Sequence, residues 1–99
     1  MSEMNICEYL KKRKADDLII DLRESVQYAF GTIEGAVNIP LSDIKRLYQL
    51  PRDRKIFLFC QAGEFSAEMT ELLSEEGYEV CNLTGGYREY LREQAEQMK

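Results

Sequence analysis

Lys55-Ile56-Phe57-Leu58-Phe59-Cys60-Gln61-Ala62-Gly63-Glu64-Phe65-Ser66 decides how this chain folds. Ile56 to Phe59 are aromatic or aliphatic at consecutive positions rather than alternate ones. That pattern predicts a short strand buried on both faces, as strands of parallel sheets are. A cysteine and a glycine-bearing loop follow. From Ser66 to Glu76 the apolar Ala67, Met69, Leu72 and Leu73 then interleave with glutamates at helical spacing, and Gly77 can close the helix.

Working outward, Leu18-Ile19-Ile20-Asp21-Leu22 is a second strand of the same buried kind. Glu24 to Phe30 allows one or two helical turns stopped at Gly31, and Gly35 to Pro40 reads as a brief strand ended by proline. Leu41 to Leu50 reads as a short helix with Ser42 near its cap, closed by Pro51. Towards the start, Ile6, Tyr9 and Leu10 recur at helical spacing, with Lys11 to Lys14 in the last turn, where the helix dipole favours cations. Towards the end, Tyr78 to Leu83 is a strand, Gly85-Gly86 a turn, and Tyr87 to Met98 an amphipathic helix. Strand and helix alternate throughout. The expected architecture is an α/β fold of three layers, α/β/α, around a mainly parallel sheet of about four or five strands.

The 99 residues, 11.6 kDa, fit one domain spanning 1–99. Hydrophobic residues at 44 % and charged ones at 31 % are a globular balance. No apolar run approaches the ~20 residues a membrane span needs, and no leader pattern opens the chain. A cytoplasmic protein is expected. There is no histidine and no tryptophan. The missing imidazole removes Ser-His-Asp and Cys-His relays, histidine-ligated zinc and histidine as a general base. Catalysis must then run on Cys, Tyr, Lys or carboxylates. Cys7, Cys60 and Cys81 are widely spaced and form no C-x-x-C, which argues against a disulfide framework and a structural metal. A net charge of −5 disfavours nucleic acid and an anionic membrane as partners.

That charge is uneven. Between Lys55 and Arg88 there is no Lys or Arg, while Glu64, Glu68, Glu71, Glu75, Glu76 and Glu79 all fall there. The stretch reads either as a solvated face that aids solubility or as a docking face for a basic protein.

In open parallel sheets ligands bind beyond the carboxyl ends of the strands. Cys60 ends the central strand, ahead of Gln61, Ala62, Gly63, Glu64, Phe65 and a helix starting near Ser66. Such a loop can wrap backbone N–H groups around the sulfur and aim a helix N-terminus at it, and both favour the thiolate. Gly63 permits the tight curvature. Desolvation and Glu64 act in the opposite direction.

Four ordered blocks together resemble the rhodanese-like sulfurtransferase family. Cys60-Gln-Ala-Gly-Glu-Phe-Ser66 sits where that family carries its active-site loop, often C-R-S-G-N-R-S. Asp21-Leu22-Arg23-Glu24 looks like its D-V-R-E segment. Tyr28-Ala-Phe-Gly-Thr-Ile-Glu-Gly-Ala-Val-Asn-Ile-Pro40 looks like its Y-x-x-G-H-I-P-G-A-x-N-I-P block, and Leu83-Thr-Gly-Gly86 like its L-x-G-G motif. The resemblance implies a rhodanese-like fold and a persulfide relay. Cys60 would take a sulfane sulfur from a donor and pass it to a thiol or other thiophilic acceptor. The amides of Gln61 to Ser66 would stabilise the anion, and no cofactor is required.

Three departures from the family pattern matter, and the first bears on the substrate. Many members carry arginine at the position of Gln61, of Phe65, or of both; here neither is basic and Glu64 adds negative charge. Thiosulfate, a dianion, would meet an acidic mouth, so weak thiosulfate activity and a protein or low-molecular-weight persulfide donor are expected. Thr32 replaces the usual histidine and Glu34 the proline, positions expected to shape the fold. The family's phosphatase relatives place an arginine six residues after the cysteine; Ser66 stands there instead, which disfavours phosphoryl transfer.

Asp21 and Arg23 are expected to form an ion pair that fixes a strand-to-helix turn rather than to transfer protons. Tyr28, Tyr48, Tyr78, Tyr87 and Tyr90 are read as packing residues, Cys81 as core and Cys7 as part of the first helix. Gly85 and Gly86 supply backbone freedom. The alternative to an enzyme is a non-enzymatic persulfide carrier or protein-interaction module of the same fold.

Overall fold

The computed structural model describes residues 2–99. Strands β1 (Ser2–Asn5), β2 (Leu18–Asp21), β3 (Val37–Asn38), β4 (Ile56–Phe59) and β5 (Val80–Thr84) alternate with helices α1 (Ile6–Lys12), α2 (Ser25–Phe30), α3 (Glu64–Glu75) and α4 (Gly86–Gln97). The strands form one sheet in the order β1-β5-β4-β2-β3, and every neighbouring pair is parallel. The five-stranded α/β arrangement is the one expected, with β4 at its centre. Among the described residues no helix is long and apolar enough to cross a membrane.

The consecutive apolar residues of β4 are divided between two cores. Ile56, Leu58 and Cys60 face a cluster with Ile20, Leu47, Leu73, Tyr78 and Val80, against which Met69 of α3 packs. Phe57 and Phe59 face the other, with Ile6 and Tyr9 of α1, Ile19, Cys81 and Leu83, covered also by Tyr87 and Tyr90 of α4. Successive side chains of a strand point to opposite faces. An unbroken apolar run is therefore what a two-faced sheet demands, and it makes three layers. Burying side chains of the size of Phe57 and Phe59 contributes about 1.5–3 kcal/mol each.

Several local expectations are corrected. β1 was not expected; Ser2-Glu3-Met4-Asn5 is a mostly exposed edge strand whose extended form comes from pairing with Cys81 to Thr84. Leu41–Gln49 is a 3₁₀ segment rather than an α-helix, kinked at Asp43 and preceded by Pro40 at its cap instead of Ser42. Ile44, Leu47 and Leu50, three apart, pack against the first core, and three residues per turn brings all of them to one side. α3 begins at Glu64, two residues before Ser66, because Gly63 provides the cap. On α3 the buried positions are Ser66, Thr70 and Leu73, while Leu72 is exposed among the glutamates. Tyr48 is half exposed rather than packed.

Candidate active site

The turn from β4 into α3 closes around one sulfur. Gly63 takes the left-handed conformation (φ +101°), and a Cβ there would lie 3.2 Å from the Gly85 backbone nitrogen. That turn brings the Gly63 N–H to 3.1 Å and the Ser66 N–H to 3.3 Å from Cys60 Sγ, both donating. The Ser66 hydroxyl lies 3.3 Å from the same sulfur and 3.3 Å from the Gly63 carbonyl oxygen. As a thiol, Cys60 donates to Ser66 Oγ, which donates onward to Gly63 O. As an anion, the sulfur can accept from Ser66 Oγ–H as well as from two amides. The N–H groups of Glu64 and Phe65, the first two residues of α3, have no intrahelical acceptor and lie beside this cradle.

The loop is held from behind by α4. The Tyr87 N–H donates to Cys60 O at 2.9 Å and the Arg88 N–H to Gln61 O at 3.0 Å. Gly86 makes that docking possible: its φ is +63° and a Cβ would sit 2.5 Å from Cys60 O. Gly85-Gly86 is thus more than a turn, because its second residue seats a helix end on the loop.

Beside it, β2 ends in a second turn. Asp21 Oδ1 accepts from the Arg23 N–H at 2.9 Å and from Nε at 3.0 Å; Oδ2 accepts from Nη2 and from the Thr32 hydroxyl, both at 2.8 Å. Arg23 Nη2 also donates to Gly31 O at 2.6 Å, and the guanidinium lies 3.8 Å from the Tyr87 ring centroid. Asp21 and Arg23 therefore form the expected ion pair, and Thr32 completes it.

An open cleft of about 390 Å³ runs between the two turns, lined by Leu22, Arg23, Glu24, Gln27, Leu41, Cys60, Gln61, Ala62, Glu64 and Phe65. Cys60 is only 7 % exposed yet forms part of the wall. Of the loop residues singled out in the sequence, Gln61, Ala62, Glu64 and Phe65 line the cleft, whereas Gly63 and Ser66 touch the sulfur. Arg23 reaches the wall; Asp21 stays behind it. Leu22, Glu24, Gln27 and Leu41 were not foreseen, although the first two follow a buried strand at the same sheet edge. The mouth carries Glu24 and Glu64, while the cation that borders it is already paired.

The other thiols lie elsewhere. Cys81 points into the opposite core, and Cys7 sits on α1, its thiol pushed above the usual range first by burial and then by Glu89 and Glu93. The cysteines are unpaired. Among the described residues no three His, Cys, Asp or Glu side chains gather closely enough to hold a metal ion.

Comparison with known proteins gives a consistent result. The rhodanese-like domain family matches residues 7–93. A sulfurtransferase of Allochromatium vinosum is 34 % identical, over 80 % of this chain and 78 % of its own length. The human thiosulfate:glutathione sulfurtransferase is 30 % identical, over 78 % and 81 %. The crystal structure of a rhodanese-related protein from Thermoplasma volcanium superposes with a TM-score of 0.85 at 29 % identity, covering 94 % of this chain and 93 % of that one. Several longer relatives are matched over only 15 % to 27 % of their length.

Proposed function

The chain belongs to the rhodanese-like domain family, and on that premise we propose that it is a sulfurtransferase in which Cys60 carries the sulfur as a persulfide. The observation that carries the reading is the pair of amides, Gly63 and Ser66, converging on Cys60 Sγ at the wall of an open cleft. The Cys60 thiolate attacks the outer sulfur of a donor R–S–SH; the new S–S bond forms as the old one breaks, and R–S⁻ leaves. An acceptor thiolate then attacks the outer sulfur of Cys60–S–SH, takes it as R′–S–SH and returns Cys60–S⁻. No net oxidation or reduction occurs. Splitting the transfer into two displacements is the general advantage of covalent catalysis. The N–H groups of Glu64 and Phe65, without intrahelical acceptors at the start of α3, are the donors we assign to the charge on the outer sulfur.

The donor we propose is a low-molecular-weight or protein persulfide rather than thiosulfate. Glu24 and Glu64 stand at the mouth and Arg23 is committed to Asp21, Gly31 and Tyr87, so a small dianion finds no free cation among the residues that line the cleft. The apolar Leu22, Leu41 and Phe65 suit a larger, less charged donor. A second reading, a persulfide carrier without turnover that docks a basic partner, draws on the exposed Glu68, Glu71 and Glu75 of α3. Intact-mass measurement after incubation with glutathione persulfide or polysulfide is the test. One added sulfur that is absent in Cys60→Ser, and that an acceptor thiol removes catalytically, is expected. Gain without turnover favours the carrier, and no gain from any donor overturns both.

A further inference from the structure

We infer that Asn82 is a positioning residue for the Cys60 sulfur, an inference that rests on the reading of Cys60 above. Asn82 lies on β5, 2 % exposed, and its Nδ2 donates to the Gly63 carbonyl oxygen at 3.3 Å. Its Oδ1 is buried without a partner. Rotating the carboxamide would place that oxygen against Gly63 O, two acceptors facing each other, so the amide must point its nitrogen at the loop. A buried polar atom left unpaired destabilises the fold. An apolar residue of similar size would pack in this strand without that cost, so stability alone does not account for the asparagine.

What Asn82 does is set by Gly63 O, the same oxygen that accepts from Ser66 Oγ and, at 3.3 Å, from the Ala67 N–H at the start of α3. Ser66 has one hydroxyl proton and two possible acceptors, Gly63 O and Cys60 Sγ. When the sulfur becomes an anion, the hydroxyl turns to it and Gly63 O loses a donor. Asn82 Nδ2 remains. Asn82 donates from β5, so it ties the Gly63 peptide to the sheet as the Ala67 N–H of α3 cannot; the Gly63 N–H then stays directed at the sulfur and Ser66 is free to give its proton. The residue thereby lowers the cost of charging Cys60 without touching it.

The test compares Asn82→Leu with wild type in three measurements: thermal unfolding, iodoacetamide alkylation of Cys60 at fixed neutral pH, and the ultraviolet absorbance of the thiolate taken as a difference from Cys60→Ser. Expected is an unfolding midpoint equal to or above wild type, with alkylation about 3- to 10-fold slower, the loss equivalent to one neutral hydrogen bond, and a weaker thiolate band. The Ser66→Ala change should slow alkylation less in the Asn82→Leu background than alone, since the two share one carbonyl. Unchanged alkylation and absorbance in a folded Asn82→Leu protein overturns the inference. Should Asn82→Leu fail to fold, Asn82→Ala is read the same way. Persulfide gain by mass is scored separately. If wild type gains no sulfur while Asn82 variants still lose reactivity, the sulfurtransferase reading fails and the positioning role stands. If wild type gains sulfur while the variants keep full reactivity, the positioning role fails and the sulfurtransferase reading stands.

Discussion

Two turns lie side by side at the carboxyl end of the sheet, and they use polar groups in opposite ways. Asp21 and Phe59 are register partners, and the Leu22 N–H donates to Phe59 O at 2.9 Å, so the turn after β2 and the turn after β4 leave the sheet together. In the first, a carboxylate and a guanidinium neutralise one another, and Thr32, Gly31 and Tyr87 take up their remaining valences. In the second, two amides and a hydroxyl converge on a sulfur that borders an open cleft. The sheet edge is the same. On the reading proposed for Cys60, what separates the structural clamp from the reactive turn is where the donors end: on a buried ion pair in the first, on a sulfur in the wall of an open cleft in the second. Tyr87 links them: its ring lies against Arg23 and its N–H holds Cys60 O.

The sharpest way to break the comparison is Asp21→Ala. It leaves Arg23 charged and buried at 6 % exposure, and removing one partner of a buried pair costs about 3–5 kcal/mol. Denaturant titration should show that loss. Cys60 alkylation, measured on the folded fraction, should stay within about twofold, because no atom of Asp21 reaches the sulfur or the cleft. A slowing comparable to the loss of stability would mean the first turn takes part in the chemistry.

Gly86→Ala should disturb both turns at once. Left-handed backbone costs an L-residue roughly 1–2 kcal/mol, and the added Cβ would stand 2.5 Å from Cys60 O and 2.7 Å from Gln61 O. A total loss of about 2–4 kcal/mol, with slower Cys60 alkylation, is expected. If alkylation is unaffected, the α4 end is not what holds the loop.

Phe65→Arg acts on the second turn alone. It adds a cation to the rim beside Glu64, and a partly exposed ion contact contributes up to about 1 kcal/mol. Thiosulfate turnover should therefore rise about 5-fold, chiefly through KM, while use of an uncharged-headed persulfide should not improve. An unchanged thiosulfate rate would remove the electrostatic explanation of donor choice.

The same contrast explains how much could be read from the sequence. Ile56 to Phe59 and Leu18 to Asp21 were legible because a strand covered on both faces needs apolar residues at nearly every position, and little else in a soluble chain writes that pattern. Cys60, the loop and the Asp21–Arg23 pair followed from their place at strand ends and from family blocks in the right order. β1 was not legible: Ser2, Glu3 and Asn5 are exposed and polar, and only the free edge of β5 makes them a strand. The 3₁₀ segment was missed because its threefold repeat, Ile44, Leu47, Leu50, is also compatible with an α-helix over so short a run. Asn82 left one signal, a carboxamide among Val80, Cys81 and Leu83. Its meaning depends on a carbonyl nineteen residues earlier in the chain, which no local pattern encodes.

The smallest expected effect comes from the far end of the sheet and serves as a control on both turns. Tyr9 is 1 % exposed and packs on Phe57 at 4.3 Å between ring centroids; its hydroxyl donates to Asp17 Oδ2 at 3.3 Å. Burial first, and then Asp17, push its phenol up to about 12. An unfolded tyrosine loses its proton near ~10. Between those values the unfolded chain has released a proton that the folded chain retains, so stability falls as pH rises through that window. Below it the contribution is fully present. Tyr9→Phe removes the ionisable group and should flatten that part of the stability curve, with the loss of one hydrogen bond at neutral pH. Cys60 alkylation at neutral pH should be indifferent to the change, since Tyr9 belongs to the core on the other face of the sheet. A matching change in Cys60 reactivity would show that the sulfur senses the sheet as a whole rather than its own turn.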